Sequence, residues 1–113
     1  MADNRQGASL EGRKFTRFAV QLPVSLTGDQ ISGGGTILNL SAEGCAITSD
    51  IVAGVSVYLQ LTMRLRQQEK PVQIDLAAVR WSSEKRFGVE FIKIRPEEYD
   101  RLKQFVKTLE STA

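Results

Sequence analysis

Histidine is absent from this chain of 113 residues, and Cys45 is its only cysteine. Ser-His-Asp triads, Cys-His pairs and cysteine-rich zinc sites are therefore excluded, and no internal disulfide can form. The sequence has no run near the roughly 20 apolar residues of a membrane span, and its polar opening lacks the apolar core of a secretion signal. We therefore expect a cytoplasmic binding module without membrane span, metal or cofactor, and not an enzyme.

A large excess of charge of one sign is also missing. The chain carries 15 Lys and Arg against 13 Asp and Glu, which gives a formal net charge of +2. This balance suits an anionic partner but is far weaker than the clustered charge of many nucleic-acid binders. Arg64 and Arg66 point to one side of a predicted strand, where charges commonly keep β-proteins soluble. Nucleic acid is therefore not the expected partner.

Alternation of apolar and polar residues dominates the chain from residue 18 onward. It is regular over residues 18–26 and over residues 55–65, and this predicts two half-buried strands. Six such segments, separated by turn residues about every ten residues, predict one small barrel or sandwich over residues 13–113. Residues 1–12 lack an apolar period and are predicted to form a flexible tail.

The apolar period changes only near the C-terminus. Pro96 suits the first turn of a helix, and Glu97 and Glu98 complement the helix dipole there. A helix over about residues 96–110 places on one face the apolar residues Tyr99, Leu102, Phe105, Val106 and Leu109. We expect this single helix to cover one open end or flank of the β-structure.

Basic residues concentrate where the predicted tail meets the first strand, at Arg13, Lys14 and Arg17. Two arginines four residues apart at the entry to a rigid scaffold can fold round an anion. Each guanidinium can pair bidentately with a phosphate or with O6 and N7 of guanine. Arg13 and Arg17 are therefore candidate ligand-binding residues, and Lys14 is a further candidate. A solvated basic cluster is the alternative interpretation.

A second polar motif follows a later predicted strand and reads Asn39-Leu40-Ser41-Ala42-Glu43-Gly44. Asn39 and Ser41 alternate onto the same side of the strand end, so their amide and hydroxyl groups can converge on the edge of a nucleobase. Gly44 permits either a positive φ or a close approach of backbone. These three residues are candidate ligand-binding residues, and a polar turn is the alternative interpretation.

Together and in this order, the two motifs resemble the signatures of the PilZ domain, the bacterial receptor module for cyclic dimeric guanosine monophosphate (cyclic di-GMP). The signatures Arg-x-x-x-Arg and Asp/Asn-x-Ser-x-x-Gly are complete at residues 13–17 and 39–44. Segments 79–81 and 87–91 and the C-terminal helix extend the resemblance over most of the chain. It implies an all-β fold in which a six-stranded antiparallel barrel is flanked by one α-helix.

The resemblance also implies a role for each signature residue. Arg13 and Arg17 would hold the phosphates and guanine faces of cyclic di-GMP, and the loop that carries them would close over the ligand. Asn39 and Ser41 would read guanine, and Gly44 would keep the barrel surface clear for the base. The ordered arginine loop would then signal to an unidentified downstream protein.

Several further residues bear on these expectations. Gly12 stands where relatives that bind a stacked ligand pair often have an arginine, so one or two ligand molecules remain alternatives. Trp81 and Phe91 have faces on which a base could stack, but aromatic residues at alternating strand positions usually form core or barrel surface. Cys45 is predicted to be a small core residue.

Two alternative functions remain, namely a PilZ-like interaction module that binds no nucleotide and a small barrel that binds single-stranded nucleic acid.

Overall fold

The computed structural model describes residues 16–51 and 53–112, which form six β-strands and one α-helix. The elements are β1 Phe18–Gly28, β2 Ile31–Leu40, β3 Gly44–Ser49, β4 Tyr58–Met63, β5 Val72–Ser83, β6 Arg86–Lys93 and α1 Pro96–Thr112. All neighbouring strands are antiparallel, and they close into a barrel in the order β1-β2-β3-β6-β5-β4. The predicted six-stranded barrel with one helix is therefore confirmed. The predicted tail lies outside the described residues.

The barrel interior is filled by the alternating apolar residues that predicted the strands. Cys45 is fully buried among them, which confirms its assignment to the core. Phe91 is partly buried and packs against the same cluster, so it also belongs to the fold. Removal of this apolar surface from water is the main driving force for closing the barrel. All six strands contribute side chains that are at most 1% exposed, among them Leu26, Ile37, Ile47, Leu61, Ile74 and Val89.

The strand predicted over residues 55–65 is shorter in the structure, where β4 covers only Tyr58–Met63. Ser56 has a φ of 75°, a left-handed conformation that a β-strand does not continue. The chain turns there, and the side chain of Val55 is left 59% exposed. The alternation of apolar residues therefore extends beyond the strand, and the prediction of its length was wrong.

Helix α1 begins at Pro96, as the sequence predicted, and continues past residue 110 to Thr112. Its apolar side chains Leu102, Phe105 and Val106 are buried and join the core cluster. The helix packs against β5 and β1. It therefore covers one flank of the barrel, as its amphipathic pattern requires.

A pair of charged residues links α1 to the start of β5 and to the loop between β4 and β5. The carboxylate of Glu98 accepts the backbone N–H of Gln73 at 2.7 Å and an N–H of Arg101 at 3.0 Å. Arg101 also donates to the backbone carbonyls of Lys70 and Pro71. Desolvation acts to raise the pKa of Glu98, but the hydrogen bonds from Gln73 and Arg101 and the nearby positive charge outweigh it and lower that pKa. We call Glu98 and Arg101 the helix clasp.

A β-bulge in β2 lies one residue before Asn39. Ile37 pairs with Ile47 of β3 and Asn39 pairs with Ala46, so Leu38 has no partner on β3. The extra residue shifts the alternation of side chains by one position. Ile37 points into the core, and Asn39, two residues later, points to the outer face of the barrel instead of following it inward.

A second bulge lies in β5. Val79 pairs with Val89 of β6 and Trp81 pairs with Gly88, so Arg80 has no partner on β6. Val79 is fully buried, whereas Trp81, two residues later, is 41% exposed. Trp81 therefore belongs to the barrel surface and not to the core, because the bulge exchanges the two faces of the strand at this point.

Candidate functional site

The two bulges bound a row of four residues on the outer face of the barrel. Asn39 of β2 lies opposite Ala46 of β3, which lies opposite Gly88 of β6, which lies opposite Trp81 of β5. We call these four residues the outer row. It crosses four strands, a span of about 14 Å at about 4.8 Å per strand. Its two middle residues, Ala46 and Gly88, are small and buried, so the row has a polar end at Asn39 and an aromatic end at Trp81.

At the polar end, the two sequence motifs meet. Arg17 directly precedes β1, and β1 pairs with β2 so that Ala19 lies opposite Asn39. The Nη1 group of Arg17 donates to Oδ1 of Asn39 at 3.4 Å, and both side chains are half-buried. The fold therefore brings together the last residue of the arginine motif and the first residue of the polar motif.

The interior beneath this end is uncharged. Burial raises the pKa of the Cys45 thiol to about 12, and the positive charge of Arg17 acts in the opposite direction. The thiol stays protonated at neutral pH, so it is an inert core group and not a nucleophile. Arg17 thus places a positive charge over an uncharged interior, where its field is only weakly screened.

Ser41 lies next to the outer row but is directed into a turn. Its side chain is 1% exposed, and its Oγ accepts the backbone N–H groups of Glu43 at 3.1 Å and Gly44 at 3.2 Å. The backbone N–H of Ser41 donates to the carbonyl of Gly44 at 3.0 Å. We call residues 41–44 the serine turn. The hydroxyl of Ser41 therefore bonds to the backbone of the turn and does not converge with the amide of Asn39 on the outer surface.

Gly44 closes the serine turn and starts β3 opposite Glu90 of β6. Its φ is not positive. A Cβ atom at this position would overlap the backbone carbonyl of Val89, so the close approach of two strands requires glycine here. Of the two reasons that the sequence offered for this glycine, the close backbone approach is therefore the one that applies.

At the aromatic end, the indole of Trp81 lies across Gly88. A Cβ atom on Gly88 would overlap Nε1 of the indole, so the ring covers the backbone of β6. The 41% exposure of Trp81 leaves part of the ring available to solvent. A large aromatic surface thus faces outward on the same row as Asn39, although the sequence pattern assigned Trp81 only to the fold. Gly88 within an apolar strand is the sequence signal that could have revealed this packing.

Arg80 and Glu90 lie beside the aromatic end and were not among the residues that the sequence singled out. Nε and Nη2 of Arg80 both approach Oε1 of Glu90, at 2.8 and 2.7 Å, and the two side chains are 55% and 50% exposed. The remaining candidates of the first motif, Arg13 and Lys14, lie outside the described residues. The structure therefore brings together Arg17 and Asn39 and adds an aromatic group and an ion pair.

Residues 11–108 match the PilZ domain family, so the chain belongs to this family. PilZ domains are receptor modules for cyclic di-GMP. Among proteins with a curated function, none is similar enough in sequence to count as a match. The resemblance of the two sequence motifs is therefore confirmed at the level of the family.

Solved structures share the fold. The inhibitor of motility MotI/DgrA of Bacillus subtilis has 24% identity and a TM-score of 0.73, over 88% of this chain and 52% of that one. YcgR of Escherichia coli, solved in complex with cyclic di-GMP, has 16% identity and a TM-score of 0.72, over 89% and 47%. The PilZ domain of CeSA from a cellulose-synthesizing bacterium has 14% identity and a TM-score of 0.66, over 84% and 98%. This chain spans about half the length of MotI/DgrA and YcgR.

Residues 16–51 and 53–112 contain neither a membrane-spanning helix nor a cluster of metal ligands. The helix they contain is not of the length and apolar character that crossing a membrane requires. Within the same residues, no three side chains of the types Cys, Asp and Glu lie close enough together to hold a metal ion. The outer row, with Arg17 at one end and the ion pair of Arg80 and Glu90 at the other, is therefore the candidate functional site.

Proposed function

We propose that this protein is a receptor that binds cyclic di-GMP along the outer row. The observation that carries the proposal is the contact of Arg17 with Asn39, which places a cation beside an amide at one end of the outer row. The ligand is a dianion with two guanine bases, so it needs positive charge, a partner for a base edge and a surface for a ring. The outer row and Arg17 offer all three, and membership of the PilZ family supports the class of ligand.

Binding would exchange partners at the polar end of the row. The hydrogen bond from Arg17 to Asn39 is long at 3.4 Å, near the limit for a useful hydrogen bond. A phosphate oxygen is a stronger, charge-assisted acceptor for the guanidinium. The ligand therefore draws Arg17 to a phosphate and releases Oδ1 of Asn39 to accept an N–H of guanine.

Trp81 would support the second base at the other end of the row. Its indole is large and partly exposed, and its position is fixed by the contact with Gly88. Stacking of a nucleobase on an aromatic side chain contributes about 1 to 3 kcal/mol. The span of about 14 Å between the ends of the row leaves room for both bases of one ligand molecule.

Ser41 and Gly44 contribute to the proposed site through the serine turn. The buried Oγ of Ser41 fixes the backbone of residues 43 and 44, and Gly44 lets β3 approach β6. The turn holds the end of β2, and with it Asn39, in place. In this proposal the two residues shape the surface on which guanine lies, and Asn39 reads the base.

Arg13 would join Arg17 on the phosphates, and Lys14 would add charge. The segment that carries them would then order over the ligand and the outer row, as the resemblance to PilZ domains implies. Hydrogen exchange tests this directly. Amides of residues 7–18 should gain protection when cyclic di-GMP is added, while amides of β4 should change little. Equal exchange of the segment at saturating ligand would contradict its ordering, even where binding itself is found.

The ligand-bound surface would be recognised by a downstream protein in the cytoplasm. A closed barrel with a packed interior has little freedom to change shape. The signal is therefore carried by the combined surface of ligand, outer row and arginine segment, and not by a rearrangement of the core.

Titration calorimetry with cyclic di-GMP tests the proposed function and gives the stoichiometry. We expect micromolar or tighter binding, with cyclic di-AMP and the linear dinucleotide far weaker. Arg17→Ala should weaken binding at least tenfold, because the charge-assisted contact to phosphate is lost. Arg64→Ala is the matched control, since Arg64 is exposed and its guanidinium makes one hydrogen bond among the described residues, to the carbonyl of Gln67.

Three outcomes would overturn the proposal. Absence of binding would favour the alternative function, a PilZ-like interaction module that binds no nucleotide. Equal affinity for cyclic di-GMP and for single-stranded DNA, with a steep dependence on salt, would favour the nucleic-acid binder. Normal binding by Arg17→Ala would remove Arg17 from the site.

A further inference from the structure

A second row of outward-facing residues runs alongside the outer row. Arg86 of β6 lies opposite Thr48 of β3 on one side and opposite Ser83 of β5 on the other. Each of the three is two residues from a member of the outer row on its own strand, so it points to the same face. We call Thr48, Arg86 and Ser83 the flanking row. It lies about 7 Å from the outer row, which is the rise of two strand residues.

The flanking row carries a cation that the fold leaves unpaired. The side chain of Arg86 is exposed, and among the described residues its guanidinium has neither a hydrogen bond nor an ion pair. Within the same part of the chain, the hydroxyl groups of Thr48 and Ser83 also make no hydrogen bond. A guanidinium between two hydroxyl groups offers several donors to an anion, and phosphate oxygens are strong acceptors for such donors.

The flanking row borders a surface hollow of about 330 Å³, which is lined by Thr48, Ser83, Glu84, Lys85 and Arg86. The amine of Lys85 lies 3.3 Å from a carboxylate oxygen of Asp50, so the charge of Lys85 is already paired. Glu84 and Lys85 form the turn between β5 and β6, one step further from the outer row than Arg86. Arg86 is therefore the charged residue through which this hollow adjoins the outer row.

Arg17 and Arg86 lie on opposite long sides of the outer row. Arg17 precedes Phe18, which pairs with Leu40, so Arg17 is level with the serine turn. Arg86 is level with Thr48, on the other side of the row. The ring of cyclic di-GMP alternates ribose and phosphate, and its two bases are attached to opposite riboses. When the bases lie at the two ends of the outer row, the two phosphates therefore lie along its two long sides.

We propose that Arg86 binds the second phosphate of cyclic di-GMP, with the hydroxyl group of Thr48 beside it, while Arg17 binds the first. Each phosphate carries one negative charge, and each is then met by a guanidinium that can donate two hydrogen bonds to it. The second cation comes from the barrel itself and not from the segment before β1. This inference rests on the proposed function and adds a ligand-binding residue to it.

The test measures cyclic di-GMP binding to variants of the full chain by calorimetry. Arg86→Ala removes the guanidinium, and Arg86→Lys keeps the charge without the planar fork of donors. A double variant combines Arg86→Ala with Arg17→Ala. The matched control is Lys93→Ala, which removes an exposed positive charge from the other end of the same strand. Melting temperatures check that every variant folds.

Arg86→Ala should bind cyclic di-GMP at least about tenfold more weakly, because charge-assisted hydrogen bonds to a phosphate are lost. Arg86→Lys should lose about threefold, since an ammonium keeps the attraction but not the paired donors. Lys93→Ala should stay within about twofold, because an exposed distant charge is screened by salt. The two arginines bind different phosphates, so the losses of the two single variants should multiply in the double variant.

Two results would overturn the inference while leaving the proposed function intact. The first is a loss in Arg86→Ala no larger than the loss in Lys93→Ala, which would show an effect of net charge alone. The second is a double variant that binds no more weakly than Arg17→Ala, which would show that Arg86 contacts no phosphate of its own. Failure of the unaltered protein to bind cyclic di-GMP would overturn both the inference and the proposed function.

Discussion

The polar motif at residues 39–44 contains two kinds of residue that its sequence does not distinguish. Asn39 is half-buried, faces the outer surface and contacts Arg17. Ser41 and Gly44 are buried, and the hydroxyl of Ser41 accepts hydrogen bonds from the turn backbone. One short motif thus combines a residue on the outer surface of the barrel with residues that build the turn behind it.

This difference changes how substitutions in the motif must be interpreted. A loss of binding after a change at Ser41 or Gly44 does not show that either residue touches the ligand, because both changes disturb the serine turn. A loss of binding after a change at Asn39 does point to contact if the fold is preserved. Stability therefore has to be measured together with affinity for every variant.

The largest effect on stability is expected for Gly44→Ala. The added Cβ would overlap the carbonyl of Val89, so β3 and β6 must separate. We expect a loss of about 2 to 3 kcal/mol in the free energy of unfolding, measured by urea denaturation. Gly54→Ala is the control, since nothing lies within 4 Å of its Cβ position. Equal stability of the two variants would show that the serine turn does not require glycine.

A smaller loss is expected for Ser41→Ala. The substitution leaves the buried N–H group of Gly44 and the partly buried N–H group of Glu43 without the hydroxyl that accepts them, which should cost about 1 to 2 kcal/mol. Ser25→Ala, at an exposed position of β1, should change stability by less than about 0.5 kcal/mol. If Ser41→Ala weakened binding without any loss of stability, Ser41 would belong with Asn39 and not with Gly44.

The helix clasp provides a third region, distant in sequence from the motif, that should respond to pH. The pKa of the Glu98 carboxyl is lower in the folded protein than in the unfolded chain. The ionised carboxylate therefore adds to the free energy of unfolding above the unfolded pKa, and this stabilisation is lost as pH falls through the folded pKa. Glu98→Gln should destabilise the protein by about 1 kcal/mol at pH 7 and by less near pH 3. Glu97→Gln, at an exposed neighbour, should show no such dependence. If Glu98→Gln lost the same stability at pH 7 and near pH 3, the charge of the carboxylate would have no role in the helix clasp.

The smallest effect on stability is expected for Asn39→Ala. Among the described residues, the side chain makes one long hydrogen bond, with Arg17, so its removal should change the free energy of unfolding by less than about 0.5 kcal/mol. The same variant should bind cyclic di-GMP about tenfold more weakly, because a base-edge contact is lost. A large loss of stability would remove the distinction between Asn39 and the serine turn.

The sequence predicted those parts of the molecule that follow regular periods. Alternation revealed the strands, and Pro96 marked the start of the helix. The prediction of a strand over residues 55–65 failed at residue 56, because the left-handed φ of Ser56 is incompatible with the strand while the apolar alternation includes that position. A single backbone angle leaves no trace in a pattern of polarity.

The candidate site could be predicted only at its polar end. Arg17 and Asn39 lie in recognisable motifs, but Trp81 shares a regular alternation with Val79 that assigns both to one face. The bulge at Arg80 reverses this assignment, and it depends on how β5 pairs with β6. Pairing between strands is a tertiary property, so the aromatic end and its ion pair become visible only in the folded barrel.

The central claim, that cyclic di-GMP lies along the outer row, is tested most directly by the fluorescence of Trp81. It is the only tryptophan of the chain, so its emission reports on the aromatic end alone. Titration with cyclic di-GMP should change the emission saturably, with the midpoint found by calorimetry, and Asn39→Ala at the other end should shift that midpoint about tenfold. Calorimetric saturation with unchanged Trp81 emission would place the ligand elsewhere and contradict the claim.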